Sequence, residues 1–169
     1  LLADPQLPNK AFMNRAEDIT PCLRCFECFA ETSKSETVKC TVNPRMGEQL
    51  WVSETLPKAS RPRRVLVVGG GPAGMEAAII ASARGHEVIL ADRLGGNLVP
   101  AAAPYFKEDL RSFLKLLRRR VEASSTKVLC GTMVTAKLIS QLRPEVLVVA
   151  IGAESMRPPI PGLDSSIVT

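Results

Sequence analysis

From Arg64 onward the chain alternates short apolar runs with amphipathic ones. Val65-Leu66-Val67-Val68 is apolar throughout and runs into glycines, the pattern of a buried parallel strand. Residues 73–84, rich in Ala and Ile, read as a helix closed by Gly85 at the C′ position. Glu87–Ala91 reads as a second strand. Residues 105–122 are amphipathic, with Phe106, Leu110, Phe113, Leu114, Leu117 and Val121 on one helical face. Lys127–Cys130 is a third strand, and Thr135 can cap a short helix ending at Leu142. Glu145–Ile151 is a fourth strand, again apolar. Strands alternating with helices predict an α/β fold whose parallel sheet is covered on both faces, with right-handed crossovers.

The turn after the first strand carries chemistry. Gly69-Gly70-Gly71-Pro72-Ala73-Gly74 fits G-x-G-x-x-G between a strand and a helix, the context that gives this pattern meaning. Gly69 allows the tight turn, Gly71 lets backbone approach a pyrophosphate, and Gly74 lets helix and strand pack closely. Free N–H groups at the helix start favour phosphate charge. Asp92 ends the second strand, 18 residues beyond Gly74, where an acid can bind a ribose hydroxyl. The acid favours a free 2′-hydroxyl, as in FAD, ADP or NAD. Neighbouring Arg93 could instead meet a 2′-phosphate or stay solvated. The plainer alternative is a glycine-rich turn with an unrelated surface Asp. Residues 64–169 are therefore expected to form the first part of a Rossmann-like dinucleotide-binding domain. His86 reads as structural.

The N-terminal part has a different texture. Residues 1–20 are mixed and weakly periodic, and residues 51–63, with Pro57 and Pro62, read as a linker. Residues 21–50 hold four of the five cysteines. Cys22, Cys25 and Cys28 follow C-x2-C-x2-C, and Cys40 comes after eleven further residues. Structural zinc usually shows two separated C-x2-C pairs. Three close cysteines and a remote fourth match a [4Fe-4S] cubane, which takes four thiolates; zinc and no metal remain as alternatives. Phe26 and Phe29 could shield sulfurs or join a core. Cys130, in an apolar strand, is expected to be an inert core thiol.

Composition narrows the classes. The 169 residues suit one average domain, and 46% hydrophobic residues allow a real core. Five Phe, one Tyr and one Trp are too few for a platform that stacks nucleic-acid bases. Most of the +5 net charge lies in Arg61–Arg64 and Arg118–Arg120, expected to be a solvated or phosphate-facing surface and not a nucleic-acid footprint. No apolar stretch reaches the roughly 20 residues of a membrane helix. No signal peptide opens the chain, so a cytoplasmic location is expected. The chain begins without Met and ends abruptly at Thr169, and is expected to be a piece of a longer protein.

Taken together, the residues resemble the iron–sulfur flavoenzymes that include 2,4-dienoyl-CoA reductase, trimethylamine dehydrogenase and related NADH:flavin oxidoreductases. The resemblance rests on Ala3-Asp4-Pro5, Pro8-Asn9-Lys10, Pro21 to Cys28, Cys40 to Pro44, Val67 to Ala77, Leu94 to Leu98, Val148 to Gly152 and Pro161 to Asp164. It covers nearly the whole chain and implies the middle segment of such an enzyme. By that resemblance residues 1–20 end a flavin barrel that binds FMN. The barrel and a nicotinamide domain for NAD(P)H would lie elsewhere in the same polypeptide, with the small-molecule substrate's site outside this segment. Residues 21–50 would bind the cluster, through Cys22, Cys25, Cys28 and Cys40. Gly69, Gly71, Pro72, Ala73, Gly74, Asp92, Arg93, Gly96, Asn97, Val134 and Gly152 would meet FAD, or ADP. Asn97 and Gly96 would lie along the flavin side, the Val134 backbone at the adenine, and Gly152 near the phosphates. The family usually has several more residues between the acid and Leu94-Gly95-Gly96, and a Thr where Ile151 stands. The implied function is electron relay between FAD and barrel-bound FMN through the cluster. A zinc- and adenine-nucleotide-binding module, or a degenerate fragment without redox activity, is the alternative.

Overall fold

The computed structural model describes residues 1–33, 37–48, 56–154, 156 and 159–161. Residues 51–55 of the linker and 162–164 of the last matched segment lie outside the described residues. Four parallel strands, β1 (Arg64–Val68), β2 (Glu87–Ala91), β3 (Lys127–Leu129) and β4 (Val146–Val149), form one sheet in the order β3-β2-β1-β4. The order reverses beside β1: the chain moves outward from β1 through β2 to β3, then returns to β4. Such a switch point opens a crevice at the carboxyl ends of the central strands.

Alternate strand residues divide between the two faces. Val65, Val67, Val88 and Leu90 point into one core with Met75 and Ala78 of α3 (Pro72–Ala83) and Leu114, Leu117 and Val121 of α5 (Glu108–Ala123). The opposite parity, Leu66 and Ile89, lies near Leu142 at the end of α6 (Ala136–Leu142). The return connection is the one that crosses this second face. Helix ends follow local chemistry. His86 N–H donates to Ala81 O and Gly85 N–H to Ser82 O, with Gly85 at φ +90°, a Schellman closure of α3. Thr135 Oγ1 accepts from Leu138 N at 3.3 Å, capping α6. His86 Nδ1 accepts from Arg63 N, the structural role expected.

Four expectations need correction. The fourth strand spans only Val146–Val149 and is an edge, so it is not buried on both faces: Leu147 and Val149 are 43% and 64% exposed. Helix α5 starts at Glu108 and not at 105, because Arg111 folds back onto the carbonyls of Ala102, Pro104 and Tyr105. Phe106 therefore leaves the core face and sits exposed, edge-on to Tyr105. Cys130 follows the short edge strand β3 and is exposed, not a core thiol.

The last correction concerns Arg118–Arg120. Successive helical residues point about 100° apart, so the run is not one surface. Arg119 donates to Glu17 O and to Asp18 Oδ1 (2.7 Å). Arg120 donates to Thr20 Oγ1 (2.8 Å). These two residues grip the N-terminal segment, which contains α1 (Leu7–Phe12) and a 3-10 turn over Ala16–Asp18. The segment closes on Asp4. Its carboxylate accepts from Gln6 N, Thr20 N and Lys10 Nζ, the last at 2.6 Å, and Lys10 also reaches Asp18 O. A second helix, α2 (Glu27–Ser33), begins inside the cysteine segment.

Candidate dinucleotide cleft and thiolate loop

The glycine loop is built by exclusion. A Cβ at Gly74 would overlap the Gly69 carbonyl oxygen, and one at Gly69 would overlap Ala150 O. These two glycines set how closely α3 meets the sheet, and they do not line the cleft. Gly71 differs: a Cβ there meets nothing within 4 Å, so its free side opens to the cleft. Gly71 is the N-cap of α3, Pro72 occupies the first turn, and no side chain caps the helix. Uncapped N–H groups and the helix dipole thus face the space beside the loop.

That space is a cleft of about 610 Å³ at the carboxyl ends of β1, β2 and β4. Among the residues singled out in the sequence, Gly71, Pro72, Ala73, Asp92, Arg93, Gly96, Asn97 and Gly152 line it. Val134 does not; it lies half-buried in the loop between β3 and α6, at the same sheet edge. Leu94, Val99, Pro100, Arg118, Ala150 and Ile151 complete the lining. Arg118 was legible only as one member of a basic run.

Asp92 is half-buried. Its Oδ2 accepts from Gly70 N at 3.0 Å and its Oδ1 from Arg93 N at 2.6 Å. The carboxylate thus ties the end of β2 to the glycine loop while lining the cleft. The short connection after it folds straight onto that loop: Gly95 N–H donates to Gly70 O at 2.7 Å. Asn97 Nδ2 reaches across to Ala153 O at 3.0 Å.

In the cysteine segment, Arg24 and Phe26 adopt positive φ, 52° and 60°, so the backbone coils between the thiols. Arg24 N–H donates to Cys22 Sγ at 3.4 Å. Cys25 Sγ and Thr41 Oγ1 share a hydrogen bond at 3.2 Å, which brings the residue after Cys40 onto the C-x2-C-x2-C loop. That bond, with a backbone N–H at Glu27, holds the Cys25 thiol below its ordinary pKa against a smaller opposing effect of burial. Cys22 and Cys25 are exposed, Cys28 and Cys40 half-buried, and all four are free thiols. Phe26 and Phe29 are exposed and join no core. Among the described residues no three His, Cys, Asp or Glu side chains close around a single ion. The donor chemistry fits a thiolate-bound cluster, since four free cysteines lie on two touching segments and two sulfurs already have hydrogen-bonding partners. Arg24 also pairs with Asp109 in the first turn of α5.

A parallel sheet with an open glycine loop at its switch point is shared by many nucleotide-binding proteins, and the comparison with known families decides among them. The family model described as pyridine nucleotide-disulphide oxidoreductase matches residues 63–169. The chain belongs to this family. Its relatives extend the match to the cysteine segment. A cinnamate reductase of Clostridium sporogenes is 36% identical over 168 residues, 97% of this chain and 25% of that protein. An NADH oxidase of Thermoanaerobacter brockii is 37% identical over 169 residues, 97% of this chain and 26% of that protein. The solved structure of a 2-naphthoyl-CoA reductase in complex with 2-naphthoyl-CoA superimposes on 98% of this chain and 26% of its own, with TM-score 0.90 and 33% identity. The resemblance read from the sequence is borne out: the chain is a segment of such a flavoenzyme. It spans about a quarter of the length of the relatives it matches. No described helix is long and apolar enough to cross a membrane.

Proposed function

We propose that the chain is the electron-transfer portion of an NAD(P)H-dependent iron–sulfur flavoprotein oxidoreductase. In this reading Cys22, Cys25, Cys28 and Cys40 hold a [4Fe-4S] cluster, and the cleft beside Gly71 holds FAD, or ADP. When bound, the flavin and cluster let a two-electron donor feed single-electron transfer toward an FMN elsewhere in the polypeptide. The observation that carries the reading is that one helix serves both candidate sites. Asp109 of α5 pairs with Arg24 in the cysteine loop, and Arg118 of the same helix lines the cleft.

The chain's own residues divide the work. Gly71 and the uncapped start of α3 offer N–H groups to a diphosphate. Asp92, its carboxylate held by the Gly70 N–H, would meet a ribose hydroxyl. Gly96 and Gly152 leave the cleft walls without side chains, and Asn97 joins those walls. Gly69 and Gly74 are spacers, and Val134 lies outside the cleft lining, in the loop after β3. Hydrogen bonds to the Cys22 and Cys25 sulfurs would tune the potential of a bound cluster.

The test is Cys25→Ser in the intact polypeptide. Visible absorbance from the cluster is expected to vanish while ADP binding and the far-UV signal of the sheet persist. Unchanged absorbance would show that Cys25 is not a ligand.

A further inference from the structure

The residues between Asp92 and α4 (Leu98–Ala101) form a short strap over the glycine loop. Its backbone is unusual, with Gly95 at φ +124° and Gly96 at φ +48°. Gly95 N–H bonds to Gly70 O, and a Cβ at Gly96 would stand 2.9 Å from Gly71 Cα. Strap and glycine loop are therefore in backbone contact, and neither can shift without the other. A ligand seated on Gly71 is also seated under the strap.

The outer side of the strap is held from α5. Arg118 donates to Leu94 O through both Nε (3.2 Å) and Nη2 (2.8 Å). Two donors of one rigid fork on a single carbonyl fix that peptide's orientation, which an ammonium cannot do. The far end of the strap is held by Asn97 on Ala153 O. Arg118 itself lines the cleft, so no other layer separates this tether from the site.

We propose that Arg118 is the positioning residue of the dinucleotide cleft. It works by pinning Leu94 O and so holding the strap over the phosphate-binding turn. This rests on the dinucleotide reading given above. Charge complementarity with a diphosphate is a separate effect, and the fork geometry separates the two: lysine preserves the charge and loses the paired donation.

The experiment compares Arg118→Lys and Arg118→Gln with the wild type in the intact polypeptide. The readouts are the FAD dissociation rate, followed by flavin fluorescence, and the Kd for ADP after flavin removal. Both variants are expected to release FAD about tenfold faster and to bind ADP about tenfold more weakly, with lysine giving no rescue. Asn97→Ala, at the other end of the strap, is expected to weaken binding several-fold. Its effect should not add to that of Arg118→Gln, because both tethers hold one element. This second variant keeps the idea testable where an Arg118 variant fails to fold. A lysine variant that binds as the wild type does, or strictly additive effects, would overturn the proposal. A wild-type protein that holds neither FAD nor ADP would overturn the dinucleotide reading, and with it this role.

Discussion

The two parts of this molecule are held together by different physics. Among the described residues every buried apolar side chain lies between Val65 and Val121. Among the described residues of 1–48 the buried side chains are Asp4 and Thr20, both polar. The dinucleotide unit is stabilised by apolar area withdrawn from water, a non-directional effect that tolerates local change. The N-terminal and cysteine segments are held by directional contacts: Lys10 to Asp4, Arg119 to Asp18, Arg120 to Thr20 and Arg24 to Asp109. Three of these contacts end on α5. That helix buries Leu114, Leu117 and Val121 in the core beneath it; its other side carries Leu116, which lines a small pocket with Ile19 and Pro21, together with the charged groups. The difference implies that the sheet unit can fold first and present α5 as the platform on which the cysteine segment docks.

Perturbations graded by size separate the two parts. The largest effect is expected from Gly74→Ala. Its Cβ would overlap the Gly69 carbonyl and stand 3.4 Å from the Ala150 side chain, where α3 packs most tightly on the sheet unit. A loss of about 4 kcal/mol or more is expected, seen in urea unfolding followed by far-UV circular dichroism. Because α5 melts with the sheet, the N-terminal contacts should disappear in the same transition. A separate, surviving N-terminal transition would break the proposed dependence.

Asp4→Asn acts on the other part alone. Removing the charge at a buried site that receives two backbone N–H groups and Lys10 costs about 1–3 kcal/mol. Faster hydrogen exchange at the Thr20 amide, with Leu66 and Leu90 amides unmoved, is the expected readout. The same contact gives a pH dependence with a definite sign. Burial raises the Asp4 pKa, but the Lys10 hydrogen bond, the Thr20 N–H, the Lys10 charge and the Gln6 N–H together bring it below the usual 3.8. A carboxylate with a lowered folded pKa stabilises fully above its unfolded value, and that contribution is lost as pH falls through the folded one. Protection of Thr20 should therefore be flat near neutrality and fall below about pH 4 in the wild type only. The smallest effect belongs to Arg119→Ala. Its pair with Asp18 is partly exposed and screened by solvent, so only a small effect is expected, visible as modestly faster proteolysis within residues 1–20.

Much of the sheet unit was legible in the sequence because its signals are local. Apolar runs, the glycine loop, Gly85 after α3 and Thr135 before α6 each report on their own few residues. The errors arose where a residue's setting depends on distant partners. β4 and Cys130 read as buried because their neighbours are apolar, yet both lie at edges of the sheet. Arg118, Arg119 and Arg120 read as one patch because they are adjacent, whereas the helix turns them toward separate partners. In the candidate site the glycines and Asp92 were visible from spacing. The strap and its tethers were not, since Arg118 and Leu94 lie 24 residues apart and meet only through packing. The cysteine spacing was plain; that Thr41 joins the two cysteine loops follows only from the fold.

The central claim is that one helix, α5, serves both a thiolate-held cluster and a flavin nucleotide. It is tested most directly by assaying iron, acid-labile sulfide, zinc and flavin in the anaerobically purified intact polypeptide. About four irons and four sulfides at this segment's cysteines, lost in Cys25→Ser, together with bound FAD or ADP, are what the account predicts. Stoichiometric zinc, or neither metal nor nucleotide, would contradict it.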